Sequence, residues 1–231
     1  MRRAVLAELM DCIENRWPAL TVSDLANGDV RLVRSGDVSR EDALEPELRE
    51  ALRTDRSRTV KTGAGEVFIN VFNPPLRMVM VGAVHISQAL IPLSQRAGYD
   101  VTVVDPRTAF ATPERFAGVK LLAEWPDEVI PRLGLDRRTA VILLTHDPKI
   151  DDPALKLALT TDAFYIGALG SPRTHAKRVE RLKAEGFDDA AIARIHAPIG
   201  LDIGAVGPVE IALSILAEVT AVLRGRGGRG R

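Results

Sequence analysis

The chain of 231 residues has a single cysteine, Cys12. That excludes an intrachain disulfide framework and fits a reducing compartment. It also lacks an excess of charge of either sign. Thirty-one Lys and Arg balance 31 Asp and Glu, so there is no long-range pull toward nucleic acid or an anionic membrane. No apolar run approaches the ~20 residues a membrane helix needs. The basic start, Met1-Arg2-Arg3, is followed by Glu8 and Asp11, which interrupt the apolar stretch a signal peptide requires. A soluble cytoplasmic protein without membrane or nucleic-acid partners is the simplest expectation. The four histidines, His85, His146, His175 and His196, lie on different segments and make no metal-ligand spacing, so no metal site is expected. Residues 224–231 alternate arginine with glycine and offer nothing to bury, so they read as a disordered basic tail, with RNA binding as the weaker alternative.

What is present is enough apolar material for a core, 46% of the chain. Val5, Leu6, Leu9, Met10 and Ile13 recur at helical spacing, predicting an amphipathic helix over 2–16 with Cys12 as a small core residue. Residues 22–45 read as mixed and polar, with Gly28 and Gly36 as turns. A short helix is expected over 46–52 and a strand over 66–72. Asn73-Pro74-Pro75 breaks the chain, separating a small N-terminal α+β region, 1–75, from a larger second region. Over 76–223 strands and helices alternate. Strands are expected at 77–81, 101–104, 119–122, 140–144 and 163–166, and helices at 87–96 (with a kink at Pro92), after Pro126, and at 154–159, 172–185, 188–194 and 208–223. Continuous apolar strands separated by helices predict a doubly wound, mostly parallel Rossmann-type α/β sheet.

In such a sheet ligands bind beyond the carboxyl ends of the strands, where four loops stand out. Gly82-Ala83-Val84-His85-Ile86-Ser87 sits where a dinucleotide fingerprint would, with Asp105 at the end of the next strand placed to meet ribose hydroxyls. Val84 and Ser87 replace the second and third glycines, so a plain strand-to-helix turn is the alternative. Thr145-His146-Asp147 brings a hydroxyl, an imidazole and a carboxylate together, either for proton movement or as a polar turn in which Asp147 caps the next segment. No serine or cysteine nucleophile is visible to complete a triad, and no residue is assigned a catalytic role. Gly170-Ser171-Pro172-Arg173 offers a capped helix start with Lys177 and Arg178 nearby, favouring an anion over a merely solvated basic face. The segment 197–205 carries Gly200 and Gly204 around a buried-looking Asp202, as in a loop packed against ligand or partner. Glu210, in the first turn of the last helix, is ordinary helix stabilisation.

Five motifs in order carry a resemblance. Gly82-Ala83-x-His85, Val103-Val104-Asp105-Pro106-Arg107, Leu144-Thr145-His146-Asp147, the run from Tyr165 to Ser171 and the run from Pro198 to Ala205 are similar to those of the XdhC/CoxI accessory factors, from about Pro74 to Leu223. The resemblance implies a maturation chaperone rather than a catalyst. It would bind molybdenum cofactor as cargo, assist its sulfuration and insert it into a molybdenum hydroxylase such as xanthine dehydrogenase, with a cysteine desulfurase as a further partner. The cofactor-binding residues it implies are Gly82, Ala83, His85, Asp105, Arg107, Thr145, His146, Asp147, Gly170, Ser171, Arg173, Gly200, Asp202 and Gly204, with a nucleotide as a possible second ligand. The sequence departs from the family at Val84, where a second glycine is usual, and residues 1–75 lack the glycine-rich segment of longer members. The short form then lacks any groups that segment supplies or borrows them from another subunit. Two alternatives stand beside this reading: an NAD(P)- or flavin-dependent oxidoreductase, and a binding protein that has lost its ligand. The apolar last helix fits either a homodimer interface or a core position.

Overall fold

The structure is a computed structural model describing residues 2–63 and 65–225. It divides into two compact units, residues 1–74 and 75–231. The expected tail lies mostly outside the described residues. Within it, Arg224 caps the last helix.

In the first unit, helix α1 (Arg3–Glu14) precedes strands β1 (Ala19–Asp24) and β2 (Val30–Arg34). Helix α2 (Glu45–Thr54) is followed by β3 (Arg58–Thr62) and β4 (Gly65–Phe72). The strands form an antiparallel sheet in the order β2-β1-β4-β3. Alternate residues face opposite sides. Leu20, Val22 and Ile69 pack with Leu48 and Ala51 of α2, while Ala19 packs with Leu9 and the fully buried Cys12 of α1. The polar reading of 22–45 thus missed a hairpin. Its turn is written in short polar side chains: Asp24 accepts the Ala26 amide at 2.8 Å, Asn27 accepts the Asp29 amide at 2.8 Å, and Gly28 takes φ +75°. The flanking strands are short; β1 is buried over four successive residues and β2 is mostly half-buried, so neither alternates clearly.

The second unit carries a parallel sheet of six strands: β5 (Leu76–Val81), β6 (Tyr99–Val104), β7 (Lys120–Leu122), β8 (Thr139–Leu143), β9 (Tyr165–Ala168) and β10 (Ile195–His196). Their order is β7-β6-β5-β8-β9-β10. Helices α3 (His85–Arg96), α4 (Pro126–Leu133), α5 (Pro148–Leu159), α6 (Pro172–Ala184), α7 (Asp189–Ile192) and α8 (Pro208–Leu223) form the outer layers. Met78, Met80, Val103 and Ile142 face α3 and α8, whereas Val79, Val81, Val141 and Leu143 face α4, α5 and α6. Burial on both faces is why these strands read as unbroken apolar runs. The last helix serves as a core element through Ala212, Ile215 and Val219, and it also exposes Val209 and Leu213.

Three expectations shift. α5 begins at Pro148, not 154, because Asp147 caps it through the Lys149 amide at 2.9 Å. The fifth strand is Tyr165–Ala168, not 163–166, so Gly167 belongs to the sheet, where a Cβ would lie 2.5 Å from Ile199. The helix expected over 188–194 is shorter and is followed by a sixth strand, which two residues are too few to announce.

Ile142, fully buried in the central strand β8, tests this core. Ile142→Ala is expected to lower the unfolding free energy by about 2–5 kcal/mol, read as a lower urea midpoint at unchanged slope.

Candidate functional site

The strand order reverses between β5 and β8, which pair directly, so the turns beyond their carboxyl ends lie side by side. Gly82 closes the first turn at φ +122°, and a Cβ there would sit 2.9 Å from Thr145 Cγ2. Conformation and proximity both require glycine. The amides of this turn are spent inside the protein. Gly82 donates to the Val104 carbonyl at 2.9 Å, Ala83 to Asp105 Oδ2 at 2.7 Å and Val84 to Ser87 Oγ at 2.9 Å. Ser87 in turn donates to the Gly82 carbonyl at 2.8 Å. A dinucleotide fingerprint would aim such amides at a pyrophosphate. Here the exposed His85 and the first-turn amides of α3 are what the turn offers instead.

Asp105 is fully buried and faces back into this turn. Besides the Ala83 amide, Arg107 clamps both its oxygens, through Nε at 2.9 Å and Nη2 at 2.7 Å. Burial pushes the carboxyl's pKa up, but the bonds from Arg107 and Ala83 outweigh it and leave it below the ordinary value. The acid therefore organises the turn, with its oxygens committed. Arg107 also feels the charges of Asp147 and Asp151, which ties the 105–107 turn to the one beyond β8.

That next turn is held by a residue the sequence did not single out. Asp151, 1% exposed, accepts the Thr145 hydroxyl at 2.6 Å and the His146 amide at 3.1 Å. His146 is held at φ +61°, a region non-glycine residues rarely adopt, with its imidazole exposed. Asp147 acts as the cap that the turn alternative anticipated. The signal for Asp151 was an acid in the first turn of a helix already capped by an acid, one carboxylate more than capping needs.

Beyond β9, Gly170 (φ +139°) leads into α6, where Ser171 accepts the Thr174 amide at 3.2 Å. Arg173 is exposed. Arg178, 2% exposed, donates to the Leu169 carbonyl at 3.1 Å and lies 3.8 Å from Asp151. His146 and Arg173 line one pocket of about 190 Å³ between the starts of α5 and α6. The structure thus gathers the turns at 82–85, 105–107 and 145–147 at neighbouring strand ends and joins 170–173 to them through this pocket.

The fourth loop behaves differently. Gly200 (φ +91°) packs on α8, where a Cβ would meet Ser214 Oγ at 2.4 Å, and its amide donates to Glu218 at 2.8 Å. Glu218 also accepts the Tyr165 hydroxyl at 2.6 Å and lies 3.3 Å from His196 Nδ1. Asp202, expected to be buried, is exposed, and so is Gly204. The segment's packing comes from Ala197, Ile199 and Gly200, whereas residues 201–204 face solvent. Glu210 serves the helix as expected, accepting the Val206 and Gly207 amides. Glu218 was also missed, although a carboxylate inside the apolar run of α8 is a visible signal. Among the described residues, no group of three or more His, Cys, Asp or Glu is placed to hold a metal, and no helix is long and apolar enough to cross a membrane.

This strand order, with a glycine turn at its reversal point, defines a Rossmann-type domain. Residues 78–219 match the XdhC Rossmann domain, and the chain belongs to that family. It is 34% identical over 151 residues to the molybdenum cofactor insertion chaperone PaoD of Escherichia coli, covering 65% of this chain and 41% of that one. It is 30% identical over 154 residues to a protein of Bacillus subtilis named as a probable xanthine dehydrogenase subunit, covering 66% and 44%. YqeB, an uncharacterised protein of Escherichia coli, is 33% identical over 69% of this chain and 30% of its own. The chain therefore spans less than half the length of these relatives. A crystal structure described as a xanthine dehydrogenase from Bacillus halodurans superposes with a TM-score of 0.67 at 21% identity, over 99% of this chain and 66% of that one, showing a shared fold.

The Asp105 clamp predicts a pH signature. Asp105→Asn removes the charge-assisted bonds and is expected to cost about 1.5–3 kcal/mol at neutral pH. The folded carboxyl titrates below the unfolded one, so its contribution is complete above the unfolded value of about 3.9 and fades as pH falls through the folded value. Urea unfolding of both proteins from about pH 7 to about pH 2.5 should show the gap closing at the acid end. A gap independent of pH would contradict the assignment.

Proposed function

We propose that this chain binds molybdenum cofactor as cargo and serves the maturation of a xanthine dehydrogenase-type molybdenum hydroxylase, assisting sulfuration of the cofactor and its insertion. The observation that carries the reading is family membership together with a relative named as a molybdenum cofactor insertion chaperone. The crevice is compatible with that cargo. The exposed His85 and His146 bring imidazoles to adjoining strand ends, donors and acceptors suited to the polar edge of a pterin, while Thr145, bonded to Asp151 and to the Asp147 amide, holds the turn that presents His146. Binding would use Gly82, Ala83, Arg107 and Asp147 as the frame, with Asp105 acting through Arg107. Gly170, Ser171 and Arg173 would meet the phosphate end, and a nucleotide carried by the cofactor would extend from there. Gly200, Asp202 and Gly204 would flank the exposed side. The molybdenum hydroxylase and a cysteine desulfurase are the partners this reading calls for. The exposed Val209 and Leu213 on α8 support a homodimer.

An NAD(P)- or flavin-dependent oxidoreductase is favoured by the strand order alone. Against it stand the committed oxygens of Asp105 and the spent amides of residues 82–84, which leave a ribose and a pyrophosphate without their usual partners.

Mass spectrometry of small molecules retained after native purification is expected to find a molybdopterin-type pterin, and coexpression should raise the activity of a molybdenum hydroxylase. Gly82→Ala, which drives a Cβ against Thr145, should reduce retained pterin at least about tenfold, the equivalent of 1.4 kcal/mol. A protein that retains no pterin and leaves hydroxylase activity unchanged would refute the proposal.

A further inference from the structure

The pocket between the starts of α5 and α6 has the construction of an anion receptor. Four cations line it, Arg173, Lys177, Arg178 and Arg181, against two carboxylates, Asp151 and Asp152. Asp152 is already matched: Arg181 grips both its oxygens, at 2.5 and 2.9 Å. Asp151 spends its oxygens on Thr145 and His146, and its approach to Arg178, at 3.8 Å, is too long for a hydrogen bond. The lining is left with two positive charges in excess.

Arg178 is the decisive group. It is 2% exposed, and only Nη2 has a hydrogen-bond acceptor, the Leu169 carbonyl. Nε and Nη1 have none among the described residues. A buried guanidinium with two idle donors is costly unless something accepts from it, and guanidinium geometry matches a tetrahedral oxyanion. The helix start adds to this. α6 is capped by neutral Ser171, so its positive end is not cancelled, whereas α5 is capped by Asp147, which cancels its own. At about 190 Å³ the pocket is smaller than the ~300–1,000 Å³ of sites that enclose a whole ligand. It suits one group of a larger molecule, or a small free ion.

We infer that this pocket is a phosphate subsite: Arg178 receives a dianionic phosphate from below, and Arg173 and Lys177 close on it from the surface. The phosphate belongs either to a monoester whose organic part lies along the crevice toward His146 or to free inorganic phosphate. Assigning that organic part to a pterin rests on the proposed function. The subsite itself does not.

The test is calorimetric titration of the chain with inorganic phosphate and with glycerol 3-phosphate, at matched ionic strength. The variants are Arg173→Gln and Lys177→Gln, singly and together. Both side chains are exposed, so the variants should fold. Arg137→Gln, at a surface ion pair with Asp162, is the control. Saturable binding of either probe is expected, weakened about tenfold or more by each pocket variant and unchanged in the control. Preference for the monoester assigns the site to a bound ligand's phosphate, and preference for inorganic phosphate to the free ion; either supports the subsite. Absence of saturable binding, or binding that survives the double variant, overturns it. Retained pterin, measured in parallel, separates the two proposals. Pterin without phosphate binding leaves the chaperone reading standing and removes the subsite, and phosphate binding with neither retained pterin nor an effect on hydroxylase activity does the reverse.

Discussion

The carboxylate of Asp151 is the contact on which the site depends. It is buried between α5 and the turn beyond β8, and a buried charge must be surrounded by donors or countercharge to be tolerated. Thr145 and His146 supply the donors, and in doing so His146 is drawn into a left-handed conformation that its own side chain does not favour. Arg178 supplies the countercharge from α6. One residue therefore couples the rim of the crevice to the basic pocket beside it. Burial dominates its titration and pushes its pKa up, against the pull of Thr145 and Arg178.

The same device recurs. Among the described residues the buried carboxylates are Asp105, Asp151 and Glu218, and each fixes a loop at the carboxyl end of the sheet. Asp105 holds the glycine turn, Asp151 the Thr145–His146 turn and Glu218 the segment at Gly200. Loops tied this way keep their geometry without a ligand. The arrangement also explains why the glycine turn tolerates Val84. With the amides of residues 82–84 already bonded, a pyrophosphate approach that a valine would crowd is not what the turn provides.

The central sheet was legible because β5, β6 and β8 are buried on both faces and read as continuous apolar runs. The N-terminal hairpin was not, because its strands are only six and five residues long and neither alternates cleanly between buried and exposed positions, although Asp24, Asn27 and Gly28 spelled out its turn. Gly167 was misplaced into a loop because glycine is a common loop residue. It stands in a strand because Ile199 packs where a side chain would be. Asp202 looked buried from its glycine neighbours, yet of Gly200 and Gly204 only Gly200 is packed. The two carboxylates that matter most beside Asp105 were passed over for a shared reason: Asp151 and Glu218 sit inside helices, where an acid normally faces water.

By itself the sequence determined the layered α/β architecture, the position of the glycine turn, the Ser171-Pro172 helix start and the family, since these come from local propensity, periodicity and ordered motifs. Which acids turn inward, and which cation each one meets, was decided only by tertiary structure. Periodicity reports the face a residue occupies. The partner waiting on that face comes from strand order and helix packing across tens of residues, and it is this that sets Arg178 beside Asp151 and leaves two of its donors free.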